Sequence, residues 1–233
     1  MNVVQLEVLT GKALVAGTEI VLGDTHRLLV CALARCGHAV PREALEALLW
    51  PDDAPGRARN LLNIALHRLR KRLGDDAVMQ SADGYRLGET VVIDLRQVEA
   101  LASRLRAAGM ADSPKAEQWL PVARRVFCGC RTGACEPEFV AALERRMRCG
   151  ARVVTERLAE HALGDGRPDL ALTLARVLLD EDACDETART IAIRAHIALG
   201  DRPAAIREYR DYTKALTEEL GLTPSFALRS LVA

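Results

Sequence analysis

The sequence predicts a mixed, mainly α protein in two parts, an α+β segment over residues 1–93 and an all-α segment over 94–233. Three observations predict it. Period-two alternation is confined to the N-terminal part, helical periodicity fills almost all of the remainder, and the last third carries an internal repeat. The 233 residues are 49% hydrophobic but only 3% aromatic. That is enough apolar material for two cores of roughly 100 to 150 residues each, and the abundance of Ala, Leu and Arg favours helices over sheets.

The β part comes first. From Val3 to Leu22, VVQLEVLTGKALVAGTEIVL alternates and is cut by Gly11 and Gly17, which predicts short antiparallel strands joined by tight turns. The period then changes. In DTHRLLVCALARCG, Leu28, Leu29, Ala32 and Leu33 share one stripe, with an N-cap at Asp24 or Thr25 and a stop at Gly37. PREALEALLWPDD predicts a short second helix, with Pro41 in its first turn, Glu43 and Glu46 early and Pro51 beyond its end. After a loop from Pro51 to Pro55, a third helix runs from Gly56 to Gly74, and VMQSADGYRL reads as two strands around a turn at Asp83-Gly84. Strands, three helices and a terminal hairpin are the parts of a winged helix-turn-helix. Its last wing strand runs into a helix capped at Asp94 without a Gly/Ser-rich linker.

The third helix carries the functional signal. Lys+Arg and Asp+Glu are equal at 32 each over the whole chain, yet GRARNLLNIALHRLRKRLG holds six basic side chains and no acidic one. At 100° per residue, Ala58, Leu62, Ala65, Leu66, Leu69 and Leu73 form one apolar stripe that must pack on the other two helices. Asn60, Ile64, His67 and Lys71 lie opposite, flanked by Arg57, Asn63 and Arg68. Asn bonds adenine bidentately, Arg bonds guanine, and Ile packs on a thymine methyl, so this face mixes base-reading with phosphate-binding types. A face serving solubility alone normally alternates Glu with Lys. Arg42 at the start of the second helix, Arg59, and Arg86 beside the wing are candidate phosphate or minor-groove contacts.

Beyond Asp94 the sequence reads as helices. DLRQVEALASRLRAAG stops at Gly109, KAEQWLPVARRVF contains Pro121 as either a kink or the true start, and a long amphipathic helix runs from about Pro137 to Leu163. LGDGRPDLALTLAR from Leu163 is echoed by LGDRPAAIREYR from Leu199, with Arg-Pro pairs at 167–168 and 202–203, a spacing of 35 residues. Tetratricopeptide units repeat every ~34 residues, each a helix pair that cannot bury its apolar face alone. Stacked helical hairpins are therefore expected, with an ordinary helical bundle as the alternative.

LLWPDDAPGRARNLLNIALHRLRKRLGDD, then GYRL, then VVIDLRQVEAL, resembles the antibiotic-regulatory-protein class of bacterial transcriptional activators, in which an OmpR-type winged helix precedes a bacterial transcriptional activation domain. The C-terminal GDRPAAIREYRDYTKALTEELGLTPSFALRSL resembles the end of that activation domain. The matching positions are Trp50-Pro51, Arg59-Asn60, Leu69-Arg70, Gly84-Tyr85-Arg86-Leu87, Glu219-Leu220-Gly221 and Pro224. The resemblance implies binding to double-stranded DNA as a homodimer or side-by-side pair on direct repeats near a promoter. It also implies contact with RNA polymerase holoenzyme through the loop Trp50 to Gly56, with Trp50, Asp52 and Asp53, and through the helical domain. No phosphate-binding loop and no room for a receiver domain are found, so neither a nucleotide nor any other cofactor is expected.

The chain departs from that class at CGCRTGACEP, where Cys128, Cys130 and Cys135 share a short loop. Either these thiols are reduced and idle, or they form a redox or metal site favoured by the nearby Arg124, Arg125 and Arg131. A full Cys₄ zinc site is not expected, because Cys149 lies beyond a predicted helical stretch, roughly 18 Å from its start. The remaining cysteines and the five histidines show no catalytic grouping, so an enzyme is not expected. MNVVQLEVLT lacks the pattern of a signal peptide and no apolar run reaches a membrane span, which points to a cytoplasmic protein. The alternative function is a helical-repeat adaptor that contacts proteins without specific DNA binding.

Overall fold

A computed structural model of the chain describes residues 3–108, 115–128 and 136–232. The described residues fall into two compact units, one within 1–98 and 132–147, the other within 99–131 and 148–233. The architecture is mainly helical with a small N-terminal sheet region, as the sequence predicts. Among the described residues, no helix is long and apolar enough to cross a membrane.

The first unit contains β1 (Val4–Glu7), β2 (Lys12–Val15), β3 (Thr18–Val21), α1 (Asp24–Ala34), α2 (Arg42–Leu49), α3 (Pro55–Leu73), β4 (Val78–Ser81), β5 (Gly84–Leu87) and β6 (Val91–Ile93). The first three strands form an antiparallel meander, with Gly11 and Gly17 at positive φ in its turns. β6 departs from expectation: it leaves the wing and pairs in parallel with β1, Val4 opposite Val91 and Leu6 opposite Ile93, giving the sheet order β3-β2-β1-β6. The reason is burial, since Val91 and Ile93 join Val4 and Leu6 in the core.

Helix ends shift by small amounts for identifiable reasons. Gly23, not Asp24 or Thr25, precedes α1, whose last residue is Ala34, before Gly37. Pro41 stands just outside α2, and Pro55 opens α3 at a position where the missing N–H is tolerated. All six residues of the α3 apolar stripe are buried. The hairpin β4-β5 turns through Ala82 and Asp83, and Gly84 is the first strand residue, opposite Ser81. Gly84 has φ +128° and a side-chain carbon there would lie 2.0 Å from the Val40 carbonyl oxygen. That closeness arises because Val40 and Tyr85 exchange backbone hydrogen bonds of 2.7 and 2.9 Å, docking the wing on the segment before α2.

α4 (Asp94–Ala108) starts directly after β6. The Asp94 carboxylate accepts from Leu95 N at 2.8 Å and Val8 N at 3.0 Å, joining the helix start to the chain after β1. Burial nonetheless raises its pKa above the ordinary value, outweighing those backbone donors. The buried Cys31 thiol donates to the Val8 carbonyl, and burial pushes its pKa up to about 12, so it behaves as a core group rather than a nucleophile.

The second unit is built from α5 (Ala116–Cys128), α6 (Glu138–Gly164, from residue 148 on), α7 (Pro168–Glu181), α8 (Glu186–Ala198), α9 (Arg202–Leu220) and the short α10 (Phe226–Ser230). Pro121 lies inside α5, which begins at Ala116. The two copies of the internal repeat make equivalent turns: Gly166 at φ +71° precedes Pro168 at the start of α7, and Gly200 at φ +77° precedes Arg202-Pro203 at the start of α9. Asp185, Asp201 and Ser225 cap α8, α9 and α10 by accepting the third following backbone N–H. Ile193, Ala205, Tyr212, Leu216 and Leu228 share one apolar cluster.

A charged group is sealed beside that cluster. Glu208, 5% exposed, accepts from Arg189, 7% exposed, and from both terminal nitrogens of Arg176. Arg189 also lies 5.7 Å from the centroid of the Tyr212 ring, and the Tyr212 hydroxyl donates to Glu186 at 3.0 Å. Desolvation and the adjacent Glu186 raise the Tyr212 hydroxyl pKa, while Ser225 first and Tyr212 next lower that of Glu186.

Gly84→Ala forces a side chain into the Val40 carbonyl at positive φ and is expected to destabilise the first unit by about 2 to 4 kcal/mol. Gly17→Ala, which has open space around it, should cost only about 1 kcal/mol, and thermal melting of the two variants compares them. Glu208→Ala leaves the buried Arg189 without its carboxylate and is expected to cost about 3 to 5 kcal/mol in denaturant unfolding of the second unit.

Candidate nucleic-acid interface

With its apolar stripe buried, α3 presents Asn60, Asn63, Ile64, His67, Arg68 and Lys71 as exposed residues on its other faces. Ile64 is 49% exposed, an apolar side chain held in water between polar neighbours. α3 has no acidic residue in its first turn and carries Arg70, Lys71 and Arg72 in its last. Not all of that charge is free. Arg70 Nε donates to the Val78 carbonyl at 3.0 Å and Arg72 to the Val21 carbonyl at 3.0 Å, so two of the six basic residues tie α3 to β4 and β3.

Other basic candidates have partners within the unit. Arg57 pairs with Asp53 at 3.1 Å, and Arg59 lies 3.7 Å from Glu46, whose side chain is buried on α2. Arg42 donates to the Asn63 side-chain oxygen at 2.9 Å and to the Tyr85 hydroxyl, with its guanidinium carbon 5.3 Å from the Tyr85 ring centroid. The N-terminus of α2, the wing strand β5 and the outer face of α3 therefore meet at one guanidinium. Arg86 is exposed on β5 opposite Met79 in β4. Sequence reasoning placed Tyr85 in the wing but gave it no role. Tyr85 is buried, and no local pattern pairs it with an arginine 43 residues away.

On the opposite flank of α3 lies an open cleft of about 410 Å³, walled by Trp50, Leu61, Ile64 and Ala65 with His26 and Arg68 as its basic groups. Burial, then the nearby Arg72 and Arg68 guanidinium groups, hold the His26 pKa below its ordinary value, which favours a neutral imidazole. Trp50 closes α2 by donating its backbone N–H to the Glu46 carbonyl and accepts from Asp53 N, shaping the loop that leads to α3. Asp52 is exposed there and Asp53 is half-buried.

The cysteine loop is only partly within view. Cys128 is exposed at the end of α5, whereas Cys130 and Cys135 lie outside the described residues. Among the described residues, no three His, Cys, Asp or Glu side chains are grouped so as to hold a metal ion.

Comparison with known proteins places this geometry in a lineage. Transcriptional regulatory protein MoaR1 of Mycobacterium tuberculosis is 29% identical over 227 residues, covering 92% of this chain and 73% of MoaR1, and the protein of the same name from Mycobacterium bovis matches equally. Regulatory protein AfsR of Streptomyces griseus is 26% identical over 208 residues, covering 88% of this chain but 21% of AfsR. The solved structure of Mycobacterium tuberculosis EmbR in complex with a low-affinity phosphopeptide superposes with a TM-score of 0.71 at 22% identity, covering 99% of this chain and 64% of that one. The chain therefore spans less than two thirds of EmbR and about a fifth of AfsR, and the EmbR likeness speaks to fold alone: a winged helix followed by a helical domain. Residues 93–233 match the bacterial transcriptional activator domain, and with that match over more than half of its length the chain belongs to the bacterial transcriptional activator domain family, in the antibiotic-regulatory-protein class of transcriptional activators.

Proposed function

We propose that the protein is a sequence-specific DNA-binding regulator in which residues 1–93 bind the duplex and residues 94–233 contact the transcription machinery. The observation that carries this reading is the outer face of α3, where Asn60, Asn63, Ile64 and His67 stand exposed between cationic residues on a helix whose opposite face is fully buried. An α-helix fits the major groove, where amide and guanidinium side chains distinguish base pairs by their donor and acceptor patterns. Lys71, Arg68 and Arg57 border that face and suit the phosphates on either side. Arg86 on the wing suits an adjacent backbone or minor groove. One winged helix buries little surface for high specificity, so binding as a homodimer or paired copies on direct repeats fits the interface size that specific complexes need. The loop from Trp50 through Asp53 and the helical domain are the surfaces offered to RNA polymerase. The work of the molecule on this reading is recruitment rather than catalysis.

Selection of bound duplexes from a randomised library, followed by titration of the selected site, tests the reading. Asn60→Ala, Asn63→Ala and His67→Ala are each expected to weaken specific binding by about 1 to 3 kcal/mol while leaving the fold intact, since none of the three belongs to the buried stripe. Lys71→Ala should weaken all sequences alike and reduce the salt dependence by about one phosphate contact. Normal site affinity in all three first variants rejects the groove assignment, and a chain that selects no sequence at all leaves the protein-adaptor reading.

A further inference from the structure

We propose that Arg42 sets the base preference of Asn63, making this asparagine a reader of guanine rather than of adenine. The inference rests on the DNA-binding reading above and assigns to one pair of residues the choice of base at one position.

The orientation of the Asn63 amide follows from the chemistry of its partner. A guanidinium carries donors and no acceptor, so the Asn63 atom 2.9 Å from Arg42 Nη1 is the carbonyl oxygen. The amide nitrogen is the other arm. Arg42 is in turn restrained, because its second terminal nitrogen donates to the hydroxyl of Tyr85 and its guanidinium carbon lies 5.3 Å from that ring. Tyr85 is itself buried, and its backbone is paired with Val40 in both directions. The hydrogen bond to Asn63 is therefore made by a held guanidinium rather than by a free surface arginine, which ordinarily loses such a bond to side-chain entropy and water.

An unengaged asparagine recognises adenine by accepting from N6–H and donating to N7, which needs both arms of the amide. With one lone pair of its oxygen taken by Arg42, a further donor such as adenine N6–H would have to approach the remaining lone pair beside that cation, whereas the two N–H donors of Asn63 are unobstructed. Guanine offers a matching pair of acceptors, N7 and O6, in the major groove. The positive charge beside the amide adds to the difference: it attracts the guanine O6 and repels the amino group of adenine. Arg42 is thus a positioning residue whose effect is read at a base it need not touch, and the same bond couples wing docking to base choice.

Duplex selection with the full chain tests this directly. Asn63→Ala should flatten the preference at one base pair and so identify the position that residue 63 reads. At that position the wild type is expected to favour guanine over adenine by at least about fivefold. Arg42→Met keeps the length of the stem but frees the amide oxygen, and should move the preference towards adenine at that position alone. Tyr85→Phe keeps the buried ring, removes the hydroxyl that holds Arg42, and should move it in the same direction by a smaller factor. A wild type that prefers adenine there overturns the inference, as does an unchanged preference in a normally melting Arg42→Met. If Arg42→Met melts early, an unchanged preference in Tyr85→Phe overturns it. Loss of overall affinity with no change of preference likewise overturns it, since that is the mark of a phosphate contact. Failure of the wild type to select any sequence instead removes the DNA-binding reading, and this inference with it.

Discussion

Burial of one stripe of α3 is the constraint on which the first unit depends. Ala58, Leu62, Ala65, Leu66, Leu69 and Leu73 run the length of the helix, and each is buried. Removing such side chains from water is worth roughly 1.5 to 3 kcal/mol for each large aliphatic residue, so rotation of the helix about its axis is prohibitively unfavourable. The direction of every other α3 side chain is a consequence. Asn60, His67 and Lys71 face out because the leucines face in, and Arg70 and Arg72, at the borders of the stripe, reach backbone carbonyls of neighbouring strands.

A second constraint is the backbone pair between Val40 and Tyr85. A two-stranded ribbon is marginal in water by itself. Here the ribbon borrows a third partner from the segment before α2, and Gly84 allows the approach because a side chain at that point would overlap the Val40 carbonyl. The buried Tyr85 ring then supports Arg42, and Arg42 supports Asn63. Wing, second helix and third helix share this one connection through side chains of different chemistry: a ring, a cation and an amide.

The helical unit uses a different solution. Its repeated turns place glycines at positive φ between helices, and the helix starts are capped by Asp185, Asp201 and Ser225. Between α7, α8 and α9 it buries the Glu208 carboxylate with Arg189 and covers it with the exposed Arg176, rather than closing a purely apolar layer. Such a group contributes little net stability over well-packed hydrophobic residues, but leaving the buried Glu208 or Arg189 alone is strongly unfavourable. The arrangement therefore penalises any packing of these helices in which Glu208 does not meet Arg189.

The sequence by itself determined what depends on local order: the α+β and all-α parts, the buried stripe of α3, the exposed residues opposite it, and the 35-residue repeat, because helical and strand periodicities are written residue by residue. It erred by a residue or two at the starts of α1 and α2, where a glycine and a proline stand at the boundary. What only the tertiary structure decided depends on partners distant along the chain. β6 left the wing for β1 because its two buried residues needed a core that no local pattern reveals. Arg70 and Arg72, at the borders of the buried stripe, are committed to carbonyls on other strands that local order does not name. Arg42, read as a phosphate-binding cation from its place at a helix start, met Asn63 and Tyr85 through separations of 21 and 43 residues. A charge in a sequence states only that a partner is needed, and which group fills that need is settled when the chain has closed around it.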